Sequence, residues 1–458
     1  MTITSNVHME RGVLQGRPED VTRDLIQRTE HGGRKFWTSV TILGLLFLLG
    51  IIGFMLMLSN GTSDRSPWGY YAAMVAFLLT TMQGAPLVSI ALRALRGHWR
   101  RPLVRAAELF AVVGILNLLL YIPLLWVLPV TEGRRSLWFN WGGHSPHIFD
   151  TVTIATLAFT GIALLWVAAL PDIATGSMHM TGKRAKVLRA LAIHWEGTSR
   201  QWKVQRAAQG AIGAMYFMLL MFTHLMFASD FAMSLVPGWK DALFPGWHAL
   251  GAIQSGLAVV TVTMFILRTW GGYKEYLGIN QFWSISKLLL AFSLLWIYFW
   301  FFTFLTFWYG RTGDEQNMLR LLFFEQYRVP FLLAVMLNFV VPFALLLWNG
   351  VRKSILGPSL AAFSILVGTL FDRIRIYVAS FSVEDVFAHS MESLPSTVTP
   401  GIAEILVIIG GLSGAICLYM LATRLFSVIS ISDSKEGLMY VMIQPFLKGK
   451  YMLIGKPD

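Results

Sequence analysis

Apolar residues run along the chain in long blocks separated by short polar stretches. Ten blocks stand out, over residues 37–59, 68–92, 103–129, 148–171, 209–235, 246–270, 285–309, 328–349, 354–378 and 400–427. Each is about 20 residues or longer, the length a helix needs to cross the ~30 Å hydrocarbon core of a bilayer. The pattern predicts an all-α polytopic integral membrane protein, with ten transmembrane helices built into bundles. Residues 1–36 are read as a cytoplasmic N-terminal segment, 37–427 as the membrane domain and 428–458 as a cytoplasmic tail. The stretch VTRDLIQRTE predicts a short surface helix too polar to insert, and its charges argue against a cleaved signal peptide. The ninth block is the least membrane-like, because Asp372, Arg373 and Arg375 crowd its end.

Composition sharpens this picture. Apolar residues make up 55% of the 458 and charged residues 14%, against about 25% charged in soluble domains. A single soluble core is thereby excluded. The one cysteine, Cys417, permits neither an intrachain disulfide nor a cysteine-held iron–sulfur cluster. A net charge of +12 would raise nucleic acid as a partner in a soluble chain. Here 28 of the 37 Lys and Arg residues fall in alternate loops and the two terminal segments. That bias predicts both termini on the cytoplasmic side, so no nucleic-acid partner is expected. The outer connections, such as SLVPGWKDALFPGWHAL and LPVTEGRRSLWFNWGGHSPHIFD, are rich in Trp, Phe, Gly and Pro. They fit an interfacial aromatic belt, or a lid and docking surface.

Charged groups at membrane depth are expensive unless paired or wetted. Asp230 and His224 lie toward the outer end of the fifth block. His147 and Asp150 begin the fourth, Asp372 and Arg373 end the ninth, and Glu404 opens the tenth. Each has a structural reading: an ion pair for Asp372, helix caps for Asp150 and Glu404, a core histidine for His224. Gathered at one depth, a carboxylate and a histidine also suit proton-coupled chemistry on a small molecule. Haem and zinc fit poorly, since His224 alone lies well inside a block. On the inner side Glu108 and Asp172 are either a proton route or interface caps. GGLSG at 410–414 fits close helix packing.

Several of these residues carry a likeness. PWGYYAAMVAFLL (67–79), SIALRALRGHWRRPLVRAAE (89–108), LWVAALPDIAT (165–175), GTSRQWKVQRAA (197–208), THLMFASDFAMSLVPGWKDALFPGWHALGAIQSG (223–256) and FWYGRTGDEQ (307–316) are their settings. Over residues 65–380 the chain resembles the NrfD/PsrC family of quinone-linked membrane subunits, most of all the ten-helix subunits of alternative complex III. The resemblance implies a quinone pocket near the outer face and no redox cofactor held by the chain itself. It implies a periplasmic-side iron–sulfur protein as partner, haem or molybdopterin-type subunits beyond it, and a second related membrane subunit. Asp230, His224, Asp172 and Asp150 fall on the family's acidic and histidine positions. SPHIFD (145–150) has Phe149 where the family has tryptophan. The family's third-helix histidine and arginine are replaced in the stretch Asn117-Leu118-Leu119-Leu120. His147 is the nearest substitute.

The leading expectation is a quinol-interacting subunit of a respiratory oxidoreductase in a bacterial inner membrane. Asp230, His224 and His147 would be catalytic, Asp150, Asp372 and Arg373 would shape the quinone pocket, and Asp172, Glu108 and Glu404 would line a proton path. The alternatives are a structural or proton-conducting anchor without quinone, and a secondary transporter. A transporter fits the topology equally well, but its charged groups would be expected at mid-membrane.

Overall fold

A bilayer offers no water to backbone amides, so a crossing segment closes its own hydrogen bonds as a helix. The computed structural model describes residues 7–8, 17–129, 137, 145–446 and 449–454. The expected surface helix is α1 (Pro18–Glu30). It is followed by α2 (Arg34–Ser59), α3 (Trp68–Ala94), α4 (His98–Val127), α5 (His147–His179), α6 (Ser199–Leu235), α7 (Phe244–Thr269), α8 (Ile279–Gly310) and α9 (Arg328–Leu346). Then come α10 (Leu356–Phe381), α11 (Ile402–Ala422) and α12 (Ile431–Met439). Among the described residues nine helices, α2 to α9 and α11, are long and apolar enough to span a bilayer. This is a polytopic, all-α membrane domain. The only strands among the described residues form a small terminal sheet: β1 (Val7–His8) lies parallel to β3 (Gly449–Ile454), which pairs antiparallel with β2 (Val441–Phe446).

The helix α10 fails on apolarity, not on length. Its 26 residues rise about 39 Å at 1.5 Å each. It packs against α3, α7 and α9, so its charged end meets protein rather than lipid. Hydrogen bonds between connecting segments sort the loops into two ends. At one end Arg28 donates to Gly272 O, Arg184 to Glu30 O and Arg424 to Arg28 O. Tyr276 donates to Asp24, and Arg93 binds Asp433. At the other end Arg65 donates to the carbonyls of Val383 and Glu384. Asn317 there donates to Met391 O, and Leu137 N to Asp230. The described residues start and finish at the first end, where β1 pairs with β3. A chain that returns to its starting end crosses an even number of times, so α10 is the tenth traverse of the bundle.

Packing follows small residues and satisfied carbonyls. A Cβ on Gly410 would lie 2.3 Å from Gly50 Cα, so α2 and α11 touch backbone to backbone. Proline has no N–H to give the carbonyl four residues back, and at two of the prolines inside these helices a side chain serves that carbonyl instead. Pro171 in α5 frees Val167 O, and Gln205 of α6 donates to it at 3.1 Å. Pro342 in α9 frees Asn338 O beside the π-helical turn Met336–Val340, and Gln254 of α7 donates to it at 2.9 Å. In the interior of the bundle these glutamines take the place of water.

Two predictions test this architecture. In a Cys417→Ser background, Asp385→Cys and Gly350→Cys should label with an impermeant maleimide from opposite faces of sealed vesicles. Labelling of both from one face would break the tenfold crossing. Gln254→Leu should orphan Asn338 O and lower stability by about 1–3 kcal/mol, read as unfolding in detergent. An unchanged midpoint would show that the carbonyl has another partner.

Candidate functional site

The half of the bundle away from the terminal sheet holds a buried chain of titratable groups on three helices. His224 Nδ1 of α6 lies 2.8 Å from His248 Nδ1 of α7. His248 Nε2 lies 2.9 Å from the Tyr377 hydroxyl of α10. All three are at most 1% exposed. A neutral imidazole has one donor and one acceptor nitrogen, so the two Nδ1 atoms must play opposite roles. Two proton arrangements satisfy the same distances. In one, His224 donates to His248, which donates to Tyr377. In the other, Tyr377 donates to His248, which donates to His224. A proton taken up at His224 Nε2 converts the first arrangement into the second and releases the hydroxyl proton of Tyr377. Charge thus passes along the chain without either ring staying protonated. His224 Nε2 has no hydrogen-bond partner among the described residues.

Arginines flank this relay. Arg373 Nη2 donates to His248 O at 3.3 Å, and its Nε has no hydrogen-bond partner among the described residues. Gly251, one turn further along α7, makes room for it: a Cβ there would lie 2.7 Å from Nη2. Asp372 accepts from Arg375 at 2.6 Å and stands 3.6 Å from Arg373 Nη1. Two guanidinium groups share one carboxylate, which leaves one positive charge beside the histidine pair.

Asp230 belongs to a neighbouring cluster. Six residues turn a helix by about 240°, so Asp230 and His224 face different neighbours. Asp230 Oδ1 accepts from Leu137 N at 2.6 Å and is almost fully buried. Tyr121 lies within electrostatic reach of both Asp230 and Asp150. His147 is half-buried in the first turn of α5, three residues before the buried Asp150. Phe227 and Phe231, stacked at 4.4 Å, separate the clusters; Phe231 contacts Tyr121 and Phe227 contacts Tyr377. Most of the connection that precedes α5, residues 130–136 and 138–144, lies outside the described residues.

The candidates at the end that holds the terminal sheet form an ionic socket. Glu108 accepts from Ser89 at 2.6 Å and from Arg93 and Arg105 at 3.0 Å. Asp172 accepts from the N–H groups of Ile431 and Ser432 at 3.1 and 2.8 Å, capping α12, and lies 3.3 Å from Arg105. Asp433 of α12 binds Arg93 and Arg100. Six charges, three of each sign, hold the C-terminal helix to α3, α4 and α5. Glu404 lies apart, in the first turn of α11, with its carboxylate folded over Gly401. Negative charge is favoured at a helix N-terminus, so Glu404 fits the cap reading.

Sequence reasoning named His224, Arg373 and Asp372 but not the pairing of His224 with His248, nor Tyr377. Tyr377 is four residues after Arg373 and so on the same face of α10, a signal that was readable. No protein-family model matches this chain, and no curated protein matches it. What stands is a polytopic all-α membrane protein with a buried polar relay.

Asp433 gives a pH prediction. Burial alone would raise its pKa, but Arg93 and then Arg100 outweigh burial and hold it well below the usual carboxylate range. A depressed folded pKa adds stability above the unfolded value and loses it as pH falls through the folded one. Asp433→Asn should therefore cost about 3 kcal/mol near neutral pH, as expected for a broken buried pair. The gap from wild type should narrow below about pH 3.9, the ordinary aspartate value. A gap independent of pH in thermal unfolding would refute this.

Proposed function

We propose that this chain is the quinol-interacting membrane subunit of a multi-subunit respiratory oxidoreductase. The observation that carries the reading is the His224–His248–Tyr377 relay with Arg373 beside it, buried in one end of an apolar bundle. The basic bias of the loops supports reading that end as the outer one, with both termini cytoplasmic, and the same reading puts the chain in a bacterial inner membrane. The likeness to the NrfD/PsrC family supports the same assignment.

Oxidation of a quinol to a quinone releases two electrons and two protons. In this reading His224 Nε2 accepts one hydroxyl proton, and the relay passes it to Tyr377. The net positive charge of the two arginines and Asp372 stabilises the negative charge that develops on the quinol oxygen. Asp230, Asp150 and His147 form the second acid–base cluster and receive the other proton. The electrons pass to an iron–sulfur partner docked on the outer face, since a chain with one cysteine does not ligate such a cluster in the usual way. Haem or molybdopterin-type subunits and a related membrane subunit complete the assembly, with lipid around it. Glu108 and Asp172 sit at the inner end, where proton uptake would begin. The socket geometry favours a second reading, in which this end is an anchor alone.

Tyr377→Phe keeps the ring and removes the hydroxyl. In assembled complex it should reduce quinol oxidation at least about tenfold, within the usual 10²–10⁴-fold contribution of acid–base groups. Asp230→Asn should also lower turnover per complex. Normal turnover in both variants would leave the anchor reading in place.

A further inference from the structure

Arg375 is 1% exposed, and its guanidinium lies over three rings: Phe323 at 4.9 Å, Trp247 at 5.5 Å and Phe331 at 5.7 Å. Trp247 belongs to α7 and is the residue before His248, Phe331 belongs to α9, and Phe323 lies in the turn between α8 and α9. A desolvated cation facing ring π-systems is held by their quadrupoles. A planar guanidinium stacks in such a setting, whereas an ammonium acts as a point charge.

The distances around Asp372 are unequal. Arg375 Nη2 sits 2.6 Å from Oδ1, while Arg373 Nη1 stands 3.6 Å from Oδ2. An unconstrained charge-assisted contact closes to about 2.7–2.9 Å. Arg373 is adjacent in sequence and fully buried, yet it does not close on Asp372. Its other nitrogen is turned to His248 O at 3.3 Å, in the gap left by Gly251. We infer that Arg375 is the positioning residue of the relay: its aromatic cage holds it on Asp372, and that leaves Arg373 turned to the first turns of α7. Without Arg375, Asp372 is a buried carboxylate whose nearest cation is Arg373. Arg373 then closes on Asp372 and leaves His248 O, and the two imidazoles lose their register.

The effect on turnover rests on the quinol reading, but the effect on the imidazole pair does not. The test uses the assembled complex in nanodiscs, with ¹⁵N-labelled histidine and a short-chain quinol, decylubiquinol. Wild type should show a hydrogen-bonded Nδ1–Nδ1 signature that His248→Phe removes. Arg375→Met should lose or shift that signature and cut quinol turnover at least about tenfold, the scale of misplacing a relay group. Asp372→Asn/Arg375→Met removes the stranded carboxylate and should restore the signature and most of the turnover, a non-additivity expected only of coupled groups. A merely structural role predicts that the double variant is no better than the single one. If Arg375→Met does not accumulate, Arg375→Lys carries the same measurement, with a smaller shift expected. An unchanged imidazole signature in the assembled Arg375 variant, or no rescue in the double variant, overturns the positioning role. A wild-type complex that binds and oxidises no quinol overturns the functional reading instead, and the imidazole signals still decide the role of Arg375.

Discussion

Inside this bundle a polar group has only other protein groups to bond with, and most of the architecture follows from that constraint. Pro171 and Pro342 each free a carbonyl, and each carbonyl meets a glutamine from another helix. Asn117 donates to Gln83 Oε1 at 2.8 Å, and Gln83 O accepts from Tyr216, which joins α3, α4 and α6. At the end that holds the terminal sheet the same constraint produces the socket, in which no carboxylate is left with one partner. Burying a charge is costly, and a pair offsets that cost only with good geometry and further hydrogen bonds. Glu108 meets the condition with three donors.

The bundle was legible in the sequence because its driving pattern is one-dimensional. Block length gives the crossings, and the basic bias gives their alternation, which the hydrogen bonds between loops reproduce. GGLSG was correctly read as packing, with Gly410 against Gly50. The terminal sheet was not announced, although VMIQPF and GKYMLI are short runs with apolar residues only two positions apart in sequence, an ordinary hairpin signal. The emphasis on 20-residue blocks hid it.

The site was half legible. Composition marks His224, Asp230, Asp372 and Arg373 as unusual at membrane depth, and each is buried. It does not say who faces whom. His224 and His248 are 24 residues apart on antiparallel helices, and only the docking of α6 on α7 brings their rings together. The same docking turns Asp230 away, toward Leu137. A grouping by depth therefore merged two clusters that Phe227 and Phe231 keep apart.

The helix least like a membrane helix carries the phenol of the relay and the charged groups that flank it. Asp372, Arg373, Arg375 and Tyr377 all belong to α10, and they are what hold it below the apolarity of its neighbours. In lipid such a helix end would be unstable. Wrapped by α3, α7 and α9, it exchanges lipid for aromatic rings, a backbone carbonyl and an imidazole. Its low hydropathy and its chemistry thus have one cause. The shielding helices must be in place before α10 is stable, and α10 must be in place before His248 has its phenol partner.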